Sequence, residues 1–190
     1  MNLLIAFFLA LNMQIESFYF VLKKQEALTF CKANNLNTDY CVLIDMSIHS
    51  GKKRFYLLSF KKDSIAYSAL VSHGCGLLKW SDDESKENPI FSNTNDSHLA
   101  SLGKYRIGNR GWSSWGININ YKLHGLDSTN SNAYQRIIVL HGWDAVKDAE
   151  QYPHGSPEGY GCPAVSNNTM RYLDNKLKNK KKDVLMWIYR

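Results

Sequence analysis

An apolar run that ends in a histidine, followed further along by a cysteine between glycine and proline, most constrains how this chain can fold. The run Ile137–Leu140 leads into His141, and Cys162 lies 21 positions after that histidine. A short apolar run predicts a buried strand, which here carries an imidazole at its end. Gly161 allows a close backbone approach and Pro163 stiffens the next turn, so we expect the thiol and nearby N–H groups to face one cleft.

A cysteine beside a histidine predicts nucleophilic catalysis. A thiol has an ordinary pKa of about 8.5, and a neighbouring imidazole takes its proton or stabilises the thiolate. A cysteine and a histidine at such a spacing also occur together by chance, and a free cysteine often packs as a small buried hydrophobe. The spacing alone leaves both interpretations open.

Further segments between about Asp39 and the C terminus occur in a characteristic order. They are 67–76 (YSALVSHGCG), 91–93 (FSN), 101–105 (SLGKY), 123–127 (LHGLD), 132–142 (NAYQRIIVLHG) and 161–165 (GCPAV). In this order they resemble the murein L,D-transpeptidase catalytic domain, the YkuD-like, cysteine-dependent family of bacterial cell-wall enzymes. Six ordered segments are a far more specific signal than any one of them.

The resemblance implies a fold and a reaction. The fold is mainly β with flanking helices, a β-sandwich or barrel-like catalytic domain. The reaction is attack on the amide after the L-centre of a peptidoglycan stem peptide, which forms an acyl-cysteine. Transfer to an amine makes the enzyme an L,D-transpeptidase, and transfer to water makes it an L,D-carboxypeptidase. No metal or other cofactor is implied.

The resemblance also assigns roles to single residues. Cys162 is the expected nucleophile and His141 the expected base. Gly142 matches the position beside the base where a backbone carbonyl can orient the imidazole. Gly161 and the Cys162 N–H are expected at the oxyanion hole.

Four more residues are candidates for substrate binding. His73 and His124 match recurring family positions and are expected to line or support the cleft. Glu158 and Tyr160 stand directly before the nucleophile, where close relatives often read Arg-Ser-Trp and this chain reads Glu-Gly-Tyr. The missing arginine changes how a substrate carboxylate would be held, and it leaves open a catalytically weakened, wall-binding relative.

The length and the two ends of the chain predict one exported domain. The chain has 190 residues, of which 44% are hydrophobic, enough for one core. The apolar start predicts a signal peptide over residues 1–17 and is too short for a stable membrane span, although a buried first helix is the alternative. A helical segment over 18–38 and the catalytic domain over 39–190 follow. We expect a monomer in the periplasm or cell envelope.

The hydrophobic pattern predicts the order of the main elements. Three strands in quick succession near 40–45, 54–60 and 65–72 predict a meander, and 81–101 reads as an irregular surface segment. Strands over 116–123 and 136–140 would place His124 and His141 at one rim. A helix over 167–177, capped by Asn167 or Asn168, and a last strand over 184–189 complete the chain.

The net charge of +6 is concentrated near the C terminus. Residues 171–190 hold seven Lys or Arg and two Asp or Glu, which gives +5. This basic run is either a solvated turn or a site of attraction for acidic wall polymer or anionic lipid. Nucleic-acid binding is not predicted, because the basic residues are not interleaved with stacking aromatic residues.

The four cysteines leave further alternatives open. Cys31 and Cys41 could form a disulfide in an oxidising compartment. Cys75 is a second thiol near the cleft, a resolving partner for Cys162, or a packed side chain. A zinc hydrolase is a competing class, although no close pair of ligands supports it; its ligands would come from His73, Cys75, His124, His141, His154 and Cys162.

Overall fold

One eight-stranded sheet forms most of the protein in the computed structural model, which describes residues 19–190. In that part of the chain two α-helices flank the sheet: α1, whose described part covers 19–33, and α2, Asn167–Leu177. The strands are β1 (Tyr40–Asp45), β2 (Phe55–Ser59), β3 (Ser64–Ala69), β4 (Gly103–Trp112), β5 (Ile119–Gly125), β6 (Val139–Gly142), β7 (Ala164–Val165) and β8 (Val184–Tyr189). Across the sheet they follow the order β3-β2-β1-β8-β4-β5-β6-β7.

The first part of the chain follows the sequence pattern. β1, β2 and β3 form the predicted antiparallel meander. Residues 81–101 contain neither a helix nor a strand, apart from one bridge between Phe91 and Ala100. α1 lies inside the predicted helical segment 18–38, and the predicted signal peptide over 1–17 lies outside the described residues.

The C-terminal strand β8 lies at the centre of the sheet, and both of its faces are buried. It pairs in parallel with β1 and antiparallel with β4. Val184, Met186 and Ile188 pack in the cluster that includes side chains of α2, whereas Leu185 and Trp187 pack in the cluster that includes side chains of α1. Burial of each such side chain contributes about 1.5–3 kcal/mol. The apolar run at the end of the chain therefore joins the two halves of the core.

The two edges of the sheet meet. The Ser72 N–H, just after the edge strand β3, donates to the Ala164 carbonyl of the other edge strand β7 at 2.9 Å, and the Ala164 N–H donates to the Ser72 hydroxyl at 3.2 Å. A bridge between Gly74 and Gly159 continues this contact. The sheet is thereby nearly closed and barrel-like, which confirms the expected mainly β, barrel-like class with flanking helices.

β4 is a ten-residue strand that none of the sequence patterns above predicts. Three glycines and three Lys or Arg residues interrupt its alternation of hydrophobic and polar positions. Only Tyr105 and Ile107 carry large buried side chains there. Pairing with β5 and β8 on its two sides decides its conformation.

The expected placement of His124 and His141 at one rim is wrong. β5 and β6 run antiparallel, and His141 is paired with Asn120 near the start of β5. His124 lies four residues further along β5, about 13 Å away at the usual rise of a strand. The cap of α2 is also shifted by one residue from the expectation, because Ser166 is the N-cap and its hydroxyl accepts from the Thr169 N–H at 3.1 Å.

The alternative of a Cys31–Cys41 disulfide is not realised in the structure. Cys31 and Cys41 are both free thiols, and both are buried in the cluster beside α1. Within residues 19–190, no helix has the length and hydropathy that crossing a membrane requires.

Asp174 on α2 fastens that helix to the sheet. Its carboxylate accepts from the Tyr121 hydroxyl at 2.7 Å and from Arg110 Nε at 2.7 Å, and so reaches both β5 and β4. Asp174 and Tyr121 are both buried. Burial favours a higher pKa for the Asp174 carboxyl, but the hydrogen bonds from Arg110 and Tyr121 outweigh burial and lower that pKa.

Asp174→Ala is expected to lower the free energy of unfolding by about 1–3 kcal/mol, because it leaves the buried Tyr121 hydroxyl without its partner. Urea denaturation at pH 7 measures this loss, and Tyr121→Phe is the matched control that removes the hydroxyl instead. Since the folded pKa of Asp174 is lowered, its stabilisation is present above the ordinary carboxyl pKa of about 3.9 and is lost as the pH falls through the lower folded value. An Asp174→Ala variant as stable as the parent at pH 7 would contradict this role.

Candidate active site

Parallel pairing of β6 with β7 brings the two predicted catalytic residues together. His141 is paired with Ala164, and Gly142 with Val165. Cys162 lies two residues before Ala164, in the irregular segment that leads into β7. There its sulfur accepts from the N–H of Val139 on β6, two residues before His141, at 3.4 Å.

Both side chains open into one cavity of about 220 Å³, which we call the aromatic cavity. Its wall is mostly apolar, with three tryptophans and a tyrosine among its side chains. The lining residues are Ser72, Trp80, Trp115, Ile137, Val139, His141, Trp143, Gly159, Tyr160, Cys162 and Ala164.

The backbone of the chain entering β6 holds the Cys162 sulfur. The Val139 N–H donates to Sγ at 3.4 Å, and the Ile137 carbonyl lies 3.8 Å from Sγ. Within the described residues, these are the hydrogen-bond contacts of the thiol, and His141 is not one of them. Catalytic hydrogen bonds are often long in a free enzyme and shorten when the substrate binds.

The orientation of the His141 ring is fixed by its own strand. Its Nδ1 lies 2.9 Å from the Gly142 carbonyl oxygen, which can only accept a hydrogen bond. We therefore assign the proton to Nδ1, which leaves the lone pair on Nε2. This is the arrangement expected for Gly142 from the resemblance.

Burial favours the neutral form of both the thiol and the imidazole. Burial raises the pKa of the Cys162 thiol, although the Val139 N–H and the Arg136 charge act to lower it. Burial lowers the pKa of His141, although its bond to Gly142 acts in the opposite direction. A thiol and a neutral imidazole, rather than an ion pair, are therefore the resting state at neutral pH.

Gly161 is required by the shape of the chain before the nucleophile. Its φ is +92°, and a Cβ atom there would overlap the Leu99 carbonyl. The glycine thus lets residues 159–162, which we call the nucleophile segment, pass directly against residues 99–100. This approach is to the protein's own backbone; an approach of Gly161 to a substrate carbonyl, and the place of the Cys162 N–H at the oxyanion hole, stay predictions.

His73 and Glu158 do not line the aromatic cavity, because neither side chain has any exposed surface. They belong to a buried hydrogen-bonded chain that begins at Arg54. Arg54 Nη2 donates to His73 Nδ1 at 2.8 Å, His73 Nε2 lies 2.8 Å from the Ser85 hydroxyl, and that hydroxyl donates to Glu158 Oε1 at 2.9 Å. Because arginine can only donate, the direction of every bond in this chain is fixed.

In this buried chain a neutral histidine lies between a guanidinium and a carboxyl group. Burial lowers the pKa of Arg54 to about 9, so its guanidinium stays charged at neutral pH. Burial and the Arg54 charge lower the pKa of His73 to about 3, which keeps the imidazole neutral. Burial raises the pKa of Glu158, whose Oε2 has no hydrogen-bond partner among the described residues.

The backbone beside this chain positions the nucleophile segment. The Gly159 N–H donates to the His73 carbonyl at 2.8 Å, and the Cys75 N–H donates to the Gly159 carbonyl at 2.8 Å. Three residues further along lies Cys162. His73 and Glu158 thus contribute by holding this segment against the body of the protein.

Of the other two candidate substrate-binding residues, Tyr160 lines the aromatic cavity and His124 does not. Tyr160 is 55% exposed and lines the aromatic cavity beside Trp80. His124 does not line that cavity; its ring stacks on Tyr134, with 4.8 Å between the ring centroids, and lies over Gly108 of β4.

The tryptophans of the cavity were not anticipated from the sequence. Trp80 stacks on Trp143 with centroids 5.4 Å apart, and Trp115 meets the edge of Trp143 at 6.2 Å. Trp80 and Trp115 remain 39% and 45% exposed. The signal was the number of tryptophans, five in the chain, but nothing in their spacing shows that three of them converge on one wall.

Arg136 is a second residue that the sequence did not single out. Its guanidinium donates to the Ser92 and Leu99 carbonyls and to the Ser97 and Ser101 hydroxyls, at 2.6–3.2 Å. All four acceptors are neutral. With Ile137 and Tyr160, Arg136 lines a neighbouring space of about 380 Å³, which we call the polar cavity, and Asp96 borders the same space.

Ile137, next along the chain, has an unfavourable backbone conformation. Its φ is +57°, in the left-handed region. For an L-residue this conformation costs about 1–2 kcal/mol, and for a β-branched residue it is a genuine outlier. It makes the turn that presents the Ile137 carbonyl and the Val139 N–H to the cysteine sulfur.

The proposed zinc ligands do not converge. Within residues 19–190, no three His, Cys, Asp or Glu side chains form a group that could hold a metal ion. Cys75 is buried beside the nucleophile segment, and its nearest polar contact is the Gly76 carbonyl at 3.8 Å.

We compared the chain with known protein families, curated proteins and solved structures. The family model described as L,D-transpeptidase catalytic domain matches residues 14–189. No curated protein matches the chain significantly.

Similar solved structures include an L,D-transpeptidase from Xylanimonas cellulosilytica (13% identity, 79% of this chain and 60% of that chain, TM-score 0.44). Others are the helical cell shape determining protein Pgp2 from Campylobacter jejuni (14%, 80% and 47%, TM-score 0.49) and a mutant Enterococcus faecium L,D-transpeptidase (10%, 80% and 50%, TM-score 0.46). The chain spans about half to three-fifths of the length of these proteins.

Gly161→Ala is expected to lower the free energy of unfolding by about 1–3 kcal/mol and to slow alkylation of Cys162, since the added Cβ is strained and overlaps Leu99. Gly159→Ala is the matched control, because a Cβ there meets only Trp143 at an ordinary 3.8 Å. Urea denaturation and the rate of iodoacetamide labelling measure both effects. Equal behaviour of the two variants would contradict the role of Gly161.

The alkylation rate of Cys162, followed by peptide mass spectrometry, is expected to rise with pH through a midpoint above the ordinary thiol pKa of about 8.5. Arg136→Gln removes a nearby cation and should move the midpoint higher. Arg136→Lys loses the same loop contacts but keeps the charge, so its midpoint should move less. A midpoint well below 8.5 in the unaltered protein, with the ordinary thiol value as reference, would show a thiolate–imidazolium pair instead.

Proposed function

Because the chain belongs to the L,D-transpeptidase catalytic domain family, we propose that it modifies peptidoglycan as a cysteine-dependent L,D-transpeptidase. The observation that carries the proposal is that His141 of β6 and Cys162, which lies two residues before the β7 segment paired with β6, line one cavity. A nucleophile, a base and backbone donors around one space are the requirements of acyl transfer.

The first half of the reaction forms a thioester. His141 Nε2 takes the proton of the Cys162 thiol as Sγ attacks the carbonyl carbon that follows the L-centre of a stem peptide. Backbone N–H groups at Gly161 and Cys162 stabilise the negative oxygen of the tetrahedral intermediate. When the C–N bond breaks, His141 returns the proton to the leaving amine, and the acyl group stays on Cys162.

The second half transfers the acyl group. The amino group of a diamino-acid side chain attacks the thioester carbon, His141 removes its proton, and the thiol is restored. Water in place of the amine gives an L,D-carboxypeptidase. The neutral resting pair suits this cycle, because charge separation then occurs only as the substrate arrives and excludes water.

The acidic residue that replaces the family's arginine does not block this chemistry. Glu158 is turned into the protein, where it accepts from Ser85, and it leaves the cavity wall to Tyr160 and the tryptophans. Its effect on the substrate therefore passes through the position of the nucleophile segment. This favours an active enzyme over a weakened, wall-binding relative.

The same proposal covers partners and location. Peptidoglycan stem peptides are the substrates, and the protein works as a monomer that is exported to the periplasm or cell envelope. Residues 1–17 would direct that export.

Incubation of the purified protein with tetrapeptide-bearing muropeptides is expected to give an acyl adduct on Cys162, read by intact and peptide mass spectrometry. Cys162→Ala should give none, and His141→Ala should slow its formation by about 10²–10⁴-fold, the usual contribution of a general base. Cys75→Ala is the matched control, a buried thiol outside the machinery, and should leave labelling unchanged.

The products separate the alternatives. New cross-links establish transpeptidation, and trimmed tripeptide alone establishes carboxypeptidase activity. Loss of turnover on chelation would favour a zinc enzyme. No adduct on a protein whose Cys162 still reacts with iodoacetamide would overturn the proposal in favour of a binding role.

A further inference from the structure

Ile137 holds a backbone conformation that its side chain disfavours. It is the only β-branched residue with positive φ within residues 19–190. The other non-glycine residues in that region of conformational space have short polar or ring side chains that tolerate it better; they are Asn35, Asp63, Ser81, Asp96, His98 and Asn118.

Among the described residues, burial of the Ile137 side chain offsets little of this strain. The Ile137 side chain is 75% exposed, whereas the next residue, Ile138, is 4% exposed. The turn depends on backbone contacts and not on the side chain. The Ile137 N–H donates to the Tyr134 carbonyl at 3.1 Å, and the Ile137 carbonyl faces Cys162 Sγ at 3.8 Å. A glycine or an asparagine would make the same turn at lower cost. The isoleucine adds only an exposed apolar side chain.

That side chain stands at the reacting sulfur. Ile137 lines the aromatic cavity together with Cys162 and His141, and it also lines the polar cavity together with Arg136. It is thus a wall shared by two spaces beside the nucleophile. Strain that is retained at such a position indicates a role in function.

We propose that Ile137 is a specificity residue whose side chain packs against an aliphatic segment of the peptide bound at Cys162. This inference rests on the proposed function and names the residue that selects its substrate. Contact with the peptide offsets the strain, and so the free protein is less stable than it would be with a residue suited to a left-handed turn.

The test compares Ile137→Gly, Ile137→Asn and Ile137→Val in the full chain with Cys162→Ala, so that binding is measured without acylation. A tetrapeptide-bearing muropeptide is titrated, and the fluorescence of the cavity tryptophans reports binding. Ile137→Gly and Ile137→Asn are expected to raise the thermal midpoint, because they relieve the strain, and to weaken binding by about 10-fold, the usual effect of losing one apolar pocket contact. Ile137→Val keeps the strain and most of the apolar contact, so its thermal midpoint should not rise and its binding should weaken less than that of Ile137→Gly or Ile137→Asn.

Each other outcome overturns the inference. Wild-type affinity in Ile137→Gly and Ile137→Asn would show that the side chain does not contact the peptide, and an unchanged or lower thermal midpoint would show that it is not strained. An absence of saturable binding in every variant would also overturn it. Failure of the proposed function looks different, since the muropeptide would then bind with the expected order of affinities while native Cys162 forms no adduct.

Discussion

The two-residue strand β7 is the constraint on which the site depends. Its pairing with β6 places Cys162, two residues before β7, beside the strand that carries His141. So short a strand has little pairing of its own, and its surroundings fix it from three directions. Ser72 bonds to Ala164 on one side, the Trp143 N–H donates to the Val165 carbonyl at 2.8 Å on the other, and Ser166 begins α2 directly after it. The same contacts therefore close the sheet and place the nucleophile.

The nucleophile segment separates two contrasting environments. Behind it runs the buried chain from Arg54 to Glu158, in which a neutral histidine and a serine hydroxyl link the guanidinium to the carboxyl group. In front of it lies the aromatic cavity, where burial favours the protonated thiol. Linked hydrogen bonds of this kind make a segment rigid, because any displacement breaks several bonds at once. Rigid support behind a desolvated nucleophile is what preorganised catalysis requires.

Strain and charge converge on the turn before β6. Arg136 donates its hydrogen bonds to neutral acceptors in residues 92–101, and its charge acts on the nearby Cys162. Ile137 has a left-handed backbone conformation and an exposed apolar side chain beside the same sulfur. That conformation costs stability in the free protein. Both make sense at a surface that completes its contacts with a bound peptide.

The sequence by itself determined the family, the mainly β class, the meander and the identity of the cysteine and histidine that meet at the cavity. The family, the fold class and the roles of the cysteine and the histidine follow from the resemblance carried by six ordered segments, and the meander follows from short apolar runs and turn residues. Tertiary structure alone decided that β4 is a strand, that His124 lies far from His141, that Glu158 and His73 are buried, and that three tryptophans line one wall. The physical reason is that these outcomes depend on strand direction, on pairing between distant segments and on the burial of polar side chains beside distant partners, none of which is encoded by spacing along the chain.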